Sequence, residues 1–337
     1  MTFNFPERLH LAYLPTPIQK LERLSARWDG PAIYIKRDDL TGMAVSGNKV
    51  RKLEFSAAKA LREGCTVLIT CGGGQSNHAR ATAAVAAKLN LGCHLVLSGQ
   101  PDQAQQGNLF LDRLLGAEIT FLPDAGLHDF TDTMQTLADE YASKGEKPMV
   151  IPLGASDATG TLGYAWAVQE MMAQFADMQW TPDHIVVACG SGGTLAGLLL
   201  GQELFRLTSR IWGVNVTADG DYFRRKVVEI LADFGREYGY TARVQADEVH
   251  MLDGYVGAGY AISGEAEMSL IAEAARHEAI LLDTAYTGKA FYGMAQEIRK
   301  GRFKKGESLL FLHTGGLYGM FPHADSFEPQ YFQAGRE

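Results

Sequence analysis

The stretch Ser46-Gly47-Asn48-Lys49-Val50-Arg51-Lys52-Leu53-Glu54-Phe55 delivers a lysine to the start of a helix. Gly47 permits a sharp turn and Asn48 is a good N-cap type. Leu53, Ala57, Ala60 and Leu61 then share one helical face, and Gly64 is spaced to close the helix. Lys49 and Lys52 therefore fall three residues apart in the first turn, on one side. A helix N-terminus already carries partial positive charge, so two lysines there call for an anion. The competing reading is a solvated basic turn. The neighbouring glycines imitate a P-loop, but a residue intervenes before Lys49 and Val50 stands where Ser or Thr would hold a metal.

A second group can supply the anion. Gly190-Ser191-Gly192-Gly193-Thr194 follows the apolar run Ile185–Cys189 and opens a helix. Small residues let consecutive backbone N–H groups converge, the helix dipole adds attraction, and Ser191 and Thr194 add hydroxyls, which together suit a phosphate. A dinucleotide is disfavoured, because Leu195 occupies the third glycine position and the next strand ends Val214-Asn215-Val216 with no acid for a ribose. One phosphate is expected. A third group, Gln75-Ser76-Asn77-His78, opens another helix after Gly72–Gly74. Its hydroxyl, amide and imidazole suit a substrate carboxylate, although a simple cap would use one of them. It lacks the second glycine of a nucleophile elbow, which argues against an α/β-hydrolase. A single-phosphate cradle with a helix-start lysine suggests pyridoxal phosphate, whose aldehyde reacts with a lysine amine.

The elements that must carry these groups alternate strand and helix. Strands are expected at 32–35, 66–70, 93–97, 118–122, 149–151, 185–189, 211–216 and 309–312, with helices between them, so the class is α/β with mainly parallel sheets. Residues 1–30 read as a lead-in, 249–264 as a glycine-rich loop, and the segment after Phe321 as a loosely packed tail. Four strands end in glycine loops, at Gly72, Gly154, Gly190 and Gly315, at the carboxyl edge where open α/β sheets bind ligands. The 337 residues, 46% hydrophobic and 21% charged, suffice for two domains sharing a cleft. A net charge of -8 argues against nucleic acid. The uncharged run 184–202 is interrupted by Gly190–Gly193 and reads as strand–turn–helix, so no membrane is expected. No signal peptide is visible, and Cys65, Cys71, Cys93 and Cys189 lack C-x-x-C spacing, which suits buried thiols of a cytoplasmic protein.

Taken together, Ser46–Phe55, Gln75–His78, Gly190–Thr194, Asp283-Thr-Ala-Tyr-Thr-Gly-Lys289 and His313-Thr-Gly-Gly316 resemble the D-cysteine desulfhydrase / 1-aminocyclopropane-1-carboxylate (ACC) deaminase family, in order from about Pro15 to Phe321. That family has the tryptophan synthase β subunit-like fold type II, with two open, twisted, mainly parallel sheets and a cofactor cleft between domains. The resemblance implies that Lys49 carries pyridoxal 5'-phosphate, and that Lys52 and the Gly190, Ser191, Gly192, Gly193, Thr194 loop hold its phosphate. Asn77 would contact the ring hydroxyl, Ser76 and His78 the substrate, and Tyr260 and Tyr286 would line the reacting side. It also implies a large domain, 1–49 with 161–337, a small inserted domain at 50–160, and a homodimer.

Within the family, ACC deaminases resemble Gln-Ser-Asn-Gln in the second motif and place Glu where this chain has Thr287. A threonine hydroxyl beside the pyridine nitrogen gives a weaker electron sink than a carboxylate, and Thr314, beside Gly315, is a second candidate for that contact. His78 and Thr287 therefore point to the desulfhydrase branch, in which L-cysteate sulfo-lyases also fall. The expected reaction removes the α-proton of a small amino acid and expels sulfide or sulfite from Cβ, giving pyruvate and ammonia, with Lys49 as base and Tyr260 or Tyr286 near the leaving group. A cofactor binder without turnover is the reading of another class; it would not need Ser76, Tyr260 and Tyr286 beside Lys49.

Overall fold

The computed structural model describes residues 3–101, 105–123, 126–259, 261–327 and 331. Strands β1 (Ile18–Lys20), β2 (Ala32–Lys36), β3 (Val67–Gly73), β4 (Gly92–Ser98), β5 (Glu118–Leu122), β6 (Pro148–Val150), β7 (His184–Cys189), β8 (Arg210–Asn215), β9 (His250–Leu252) and β10 (Ser308–Leu312) form two sheets. The helices are α1 (Glu22–Trp28), α2 (Lys49–Arg62), α3 (Asn77–Leu89), α4 (Gly107–Leu114), α5 (Leu127–Ser143), α6 (Ala158–Asp177), α7 (Gly193–Phe205), α8 (Gly220–Tyr238), α9 (Glu265–Glu278), α10 (Thr287–Arg299) and α11 (Leu317–Met320).

One sheet has the order β5-β4-β3-β6 and is parallel throughout; the other has the order β1-β2-β10-β7-β8-β9, with β1 alone antiparallel. The expected fold-type II α/β architecture is present. Strands β7 and β10 are wholly buried, with the apolar stretches Ile185–Cys189 and Leu309–Leu312 covered on both faces. In register, Val187 of β7 lies between Leu312 of β10 and Gly213 of β8, so their glycine loops emerge side by side.

Helix α6 lies between α2 and α7, and this contact fixes the lysine helix against the phosphate-type loop. A Cβ on Gly163 of α6 would come within 2.4 Å of the Arg51 carbonyl oxygen, so only glycine allows α2 so close. A buried ion cluster reinforces the junction. Arg51 donates to both Asp38 oxygens at 2.8 Å and to both Glu170 oxygens at 2.9 Å; Lys36 reaches Glu170 at 2.6 Å, and the Tyr164 hydroxyl donates to Asp38 at 2.6 Å. Burial alone would raise the Asp38 carboxyl, but Arg51, with Lys36 and Tyr164, holds it at about 2.

Three expectations need correction. The lead-in contains β1 and α1, because Ile18–Lys20 finds an edge partner in β2 and Leu24 inserts fully into the core. The segment read as a glycine-rich loop begins with β9, which pairs with β8. The tail is not uniformly loose, since Phe321–Ser326 forms a 3-10 turn and Tyr331 is buried in the core. No helix among the described residues is long and apolar enough to cross a membrane.

Candidate active site

The carboxyl ends of β3, β7 and β10 and the N-termini of α2, α3 and α7 converge on one cavity of about 380 Å³. Its wall includes Lys49, Ser76, Asn77, His78, Gly190, Ser191, Gly192, Thr194, Tyr286, Thr314 and Gly315. All four anticipated glycine loops reach it, through Gly72, Gly154, Gly190 and Gly315. Gly47 and Gly315 pack backbone to backbone: a Cβ on Gly315 would sit 2.7 Å from the Gly47 Cα, and both residues have positive φ. The two loops can meet there only as glycines.

Lys49 is the first residue of α2. Burial lowers its ammonium to about 8, against the weaker pull of Cys189 and Asp283. The amine is thus partly neutral near physiological pH, as a nucleophile or base requires. Asn48 precedes it but makes no side-chain cap; its amide Nδ2 donates instead to Thr194 Oγ1 at 3.0 Å, and its N–H to the Thr314 carbonyl at 3.1 Å. The expected N-cap is absent because Asn48 already has helical backbone angles (φ -63°, ψ -21°), which turn its side chain away from the first-turn N–H groups and leave the amide to tie α2 to α7.

Lys52 lies behind the cavity wall. Its Nζ donates to the Gly154 carbonyl at 3.0 Å and lies 2.8 Å from where a Gly193 Cβ would stand, and Gly193 too is behind the wall. Burial, and then the charge of Lys49, drive the Lys52 ammonium well below its ordinary range. Two amines destabilised in this way at one helix N-terminus favour an anion nearby. Gly192, with φ +85°, turns the chain so that α7 starts at the cavity. Ser191 Oγ is hydrogen-bonded to Ser156 Oγ at 2.8 Å, and Ser156 also accepts from the Gly193 N–H at 3.3 Å. Ser156 follows the Gly154 loop, and nothing local in the sequence reveals its pairing with a residue 35 positions away.

Ser76 is both wall and cap, accepting from the Ala79 N–H at 3.2 Å, which leaves its hydroxyl hydrogen for the cavity. His78 Nε2 is 2.8 Å from Thr70 Oγ1, whose hydrogen goes to the Ile151 carbonyl at 2.7 Å, so Nε2 is the donor. Burial, with Lys49 and Lys52, lowers the imidazole well below its ordinary value and keeps it neutral. Nδ1 is buried and makes no hydrogen bond among the described residues, which leaves it as an acceptor at the cavity side, while the Pro152 backbone opposes the lowering of the imidazole.

Tyr286 packs its ring on Gly190, where a Cβ would meet Cε1 at 2.8 Å. Thr287, by contrast, is fully buried behind Asp283: its hydroxyl accepts from the Asp283 N–H at 2.8 Å and donates to Asp283 Oδ1 at 2.9 Å. The helix start of α10 accounts for this, since its N–H groups and the Thr287 hydroxyl gather on the Asp283 carboxylate. Asp283, the first residue of the Asp283–Lys289 motif, is itself a wall residue. Burial raises its carboxyl, against the hydrogen bonds from Tyr286 and Thr287. Tyr260 lies outside the described residues.

The cavity suits a phosphorylated aromatic aldehyde. It offers a buried lysine with a lowered pKa, a helix N-terminus behind a glycine loop, serine hydroxyls, and an amide at one side. The comparisons agree. The model of the family described as pyridoxal-phosphate dependent enzyme matches residues 9–315, and this chain belongs to that family. Its cofactor is pyridoxal phosphate. The chain is 42% identical over 315 residues to a putative ACC deaminase of Thermotoga maritima, covering 93% of this chain and 97% of that protein. It is 40% identical over 325 residues to the D-cysteine desulfhydrase of Yersinia enterocolitica, covering 95% and 96%. A crystal structure of an ACC deaminase homologue superimposes with a TM-score of 0.88 at 38% identity, covering 95% of each chain.

Proposed function

We propose that this chain is a D-cysteine desulfhydrase-type lyase, converting D-cysteine and water to pyruvate, ammonia and hydrogen sulfide. The carrying observation is Lys49, buried at the cavity wall with its amine lowered to about 8. Bound pyridoxal phosphate supplies the electron sink for a carbanion at the substrate α-carbon. Lys49 then takes the α-proton, and sulfide leaves from Cβ. Ser76 donates its hydroxyl to the substrate carboxylate, while His78 Nδ1 accepts a hydrogen bond from the substrate's polar end. Ser191, Thr194 and the backbone of Gly190–Gly193 bind the phosphate, with Lys52 strengthening the loop's field from behind. Tyr286 walls the reacting side, and the same role is proposed for Tyr260. Asn77 donates to the ring oxygen.

Thr314 is taken as the partner of the ring nitrogen, since its residue reaches the cavity whereas the Thr287 hydroxyl is spent on Asp283. A hydroxyl there supports β-elimination, whose leaving group departs readily, over opening of an unactivated cyclopropane. The reading treats 50–160 as a small domain inserted in the large one, supported by a four-stranded sheet built wholly from residues within 67–150. It also carries a homodimer and a cytoplasmic setting, the second supported by four free, buried cysteines.

The test is a substrate panel of D-cysteine, L-cysteate and ACC, assayed for sulfide, sulfite, pyruvate and 2-oxobutyrate. Sulfide with equimolar pyruvate from D-cysteine is expected. Sulfite from L-cysteate in preference would make the chain a sulfo-lyase, 2-oxobutyrate from ACC at a comparable rate a deaminase, and no product from any a cofactor-binding protein.

A further inference from the structure

Arg80 makes no contact with the cavity, yet it is almost completely buried and all its hydrogen bonds lead toward the site. Its Nε donates to Asn108 Oδ1 at 3.2 Å, its Nη2 to the Ser46 carbonyl at 2.9 Å, and its Nη1 to the Ala44 carbonyl. Its guanidinium also stands over the Tyr318 ring, 5.3 Å from the centroid. A guanidinium only donates, so the atom of Asn108 that faces it must be the oxygen. Asn108 Nδ2 therefore points the other way. There it donates to the Gln75 carbonyl at 2.9 Å, an acceptor that admits no alternative, and to Asn77 Oδ1 at 3.0 Å. With its oxygen taken, Asn77 has its NH2 left for the cavity that it lines. An amide on its own could present either end; here the Arg80 charge sets Asn108 directly and Asn77 through Asn108.

We propose that Arg80 and Asn108 are positioning residues that lock the Asn77 amide with its donor end toward the cofactor ring oxygen. This rests on the reading of Asn77 as the ring-oxygen contact. A fixed donor stabilises the ionised ring oxygen, whereas a flipped amide would set a carbonyl against it. The same guanidinium fastens the carbonyls of Ala44 and Ser46 in the loop entering the Lys49 helix. The lysine loop and the ring-oxygen donor are thus held by one side chain. Asn108 is fully buried, and Gly319 of α11 covers it: a Cβ there would meet Asn108 Nδ2 at 3.3 Å. Two asparagines 31 positions apart are linked in this way.

The decisive variant is Asn108→Asp, which keeps the shape and the Arg80 contact but offers Asn77 only acceptors, so the Asn77 amide should turn its NH2 inward and its oxygen to the cavity. Cofactor Kd, by equilibrium dialysis with pyridoxal phosphate, should rise about 10- to 100-fold. The pH midpoint of the bound cofactor's visible band should rise by about one unit, a shift that mere loosening would not produce. Asn108→Ala, which leaves Arg80 clamped on the loop, should give smaller changes of the same sign. In an Asn77→Ala background, both Asn108 variants should add almost nothing. Full effects of Asn77→Ala with silent Asn108→Asp and Asn108→Ala would overturn the relay alone. A silent Asn77→Ala would overturn the ring-oxygen reading and the relay with it. Additive effects of Asn77→Ala and Asn108→Asp would overturn the relay in favour of a purely structural role for Asn108.

Discussion

Asn48 donates its side-chain amide to the Thr194 hydroxyl at 3.0 Å, joining the residue before the lysine helix to the first turn of α7 across 146 positions of chain. The bond is buried and sets the distance between the amine of Lys49 and the phosphate-type loop. Asn48→Ala removes a buried donor and leaves the Thr194 hydroxyl to find another. Melting of the apoprotein should show a loss of about 1 kcal/mol, with cofactor Kd several-fold higher. Unchanged cofactor affinity would mean that other contacts hold the two helices in register.

Lys49 is expected to be the residue trapped on borohydride reduction of the cofactor-loaded protein, and peptide mapping reads this directly. Lys52 has its Nζ against Gly154, and Lys289 donates to the carbonyls of Val256, Gly259 and Ile262, which makes it a brace for the glycine-rich loop. Lys49→Ala should lose the visible band and cut turnover by about 10²- to 10⁴-fold or more. Uptake of pyridoxal phosphate by the apoprotein should quicken as pH rises through about 8, instead of through the ordinary lysine value of 10.5. The linkage runs the same way: the folded amine releases its proton from about 8 upward while the unfolded one keeps it to 10.5, so between these values rising pH stabilises the apoprotein.

The loops at the strand ends were legible because glycine at a strand's carboxyl end is both a local and a functional signal. All four reached the cavity. The lysine helix was legible from its apolar spacing, although Leu61 is 40% exposed while Leu53, Ala57 and Ala60 are fully buried. Side-chain partnerships were not legible. Arg51 with Glu170, Ser156 with Ser191, and Asn108 with Asn77 are brought together by topology, and no spacing rule encodes them. Asn48 and Ser76 illustrate the limit. Both are cap residue types before a helix; Ser76 caps, whereas Asn48 donates to Thr194 in the first turn of α7.

The buried cluster under α2 gives an acid-stability prediction. Asp38 is held at about 2 against an ordinary 3.8, so its contribution is complete above about 4 and is lost as pH falls toward 2. Arg51→Met leaves Asp38 and Glu170 buried without their main cation and should cost about 3–5 kcal/mol near neutral pH, measured by urea unfolding of the apoprotein. The variant should also lose part of the steepness of the wild-type acid transition. Equal stability of variant and wild type would show that Lys36 and Tyr164 suffice.

Gly192 tests the phosphate loop. A Cβ there would meet Ile230 Cδ1 at 3.4 Å and Lys226 Cγ at 3.5 Å, so room exists, but φ is +85°. Gly192→Ala should therefore act through the backbone, at a cost of about 1–2 kcal/mol that turns the N–H groups away from the anion. Gly192→Asp adds to the backbone cost a negative charge beside the phosphate site, and Lys226 is already paired with Glu229 at 3.1 Å, so its cofactor retention should fall well below that of Gly192→Ala. Full retention by both through long dialysis would place the phosphate elsewhere.

The last test separates Thr314 from Thr287 as the partner of the ring nitrogen. Thr287 spends its hydroxyl on Asp283, where the N–H groups of Tyr286 and Thr287 also converge on Oδ1 at 2.9 and 2.6 Å. Thr287→Val should leave Asp283 short of a donor in a buried site and lower stability by about 1–3 kcal/mol, with the spectrum of the molecules that stay folded little changed. Thr314 stands at the wall, and its backbone carbonyl already accepts from Asn48, a contact that substitution of the side chain preserves. Thr314→Val should therefore keep stability, alter the visible band of the bound cofactor, and lower kcat for sulfide release from D-cysteine more than it raises KM. If the spectral change follows Thr287→Val and spares Thr314→Val, the roles are reversed and α10 must shift on cofactor binding, since the Thr287 hydroxyl can reach the ring only by releasing Asp283.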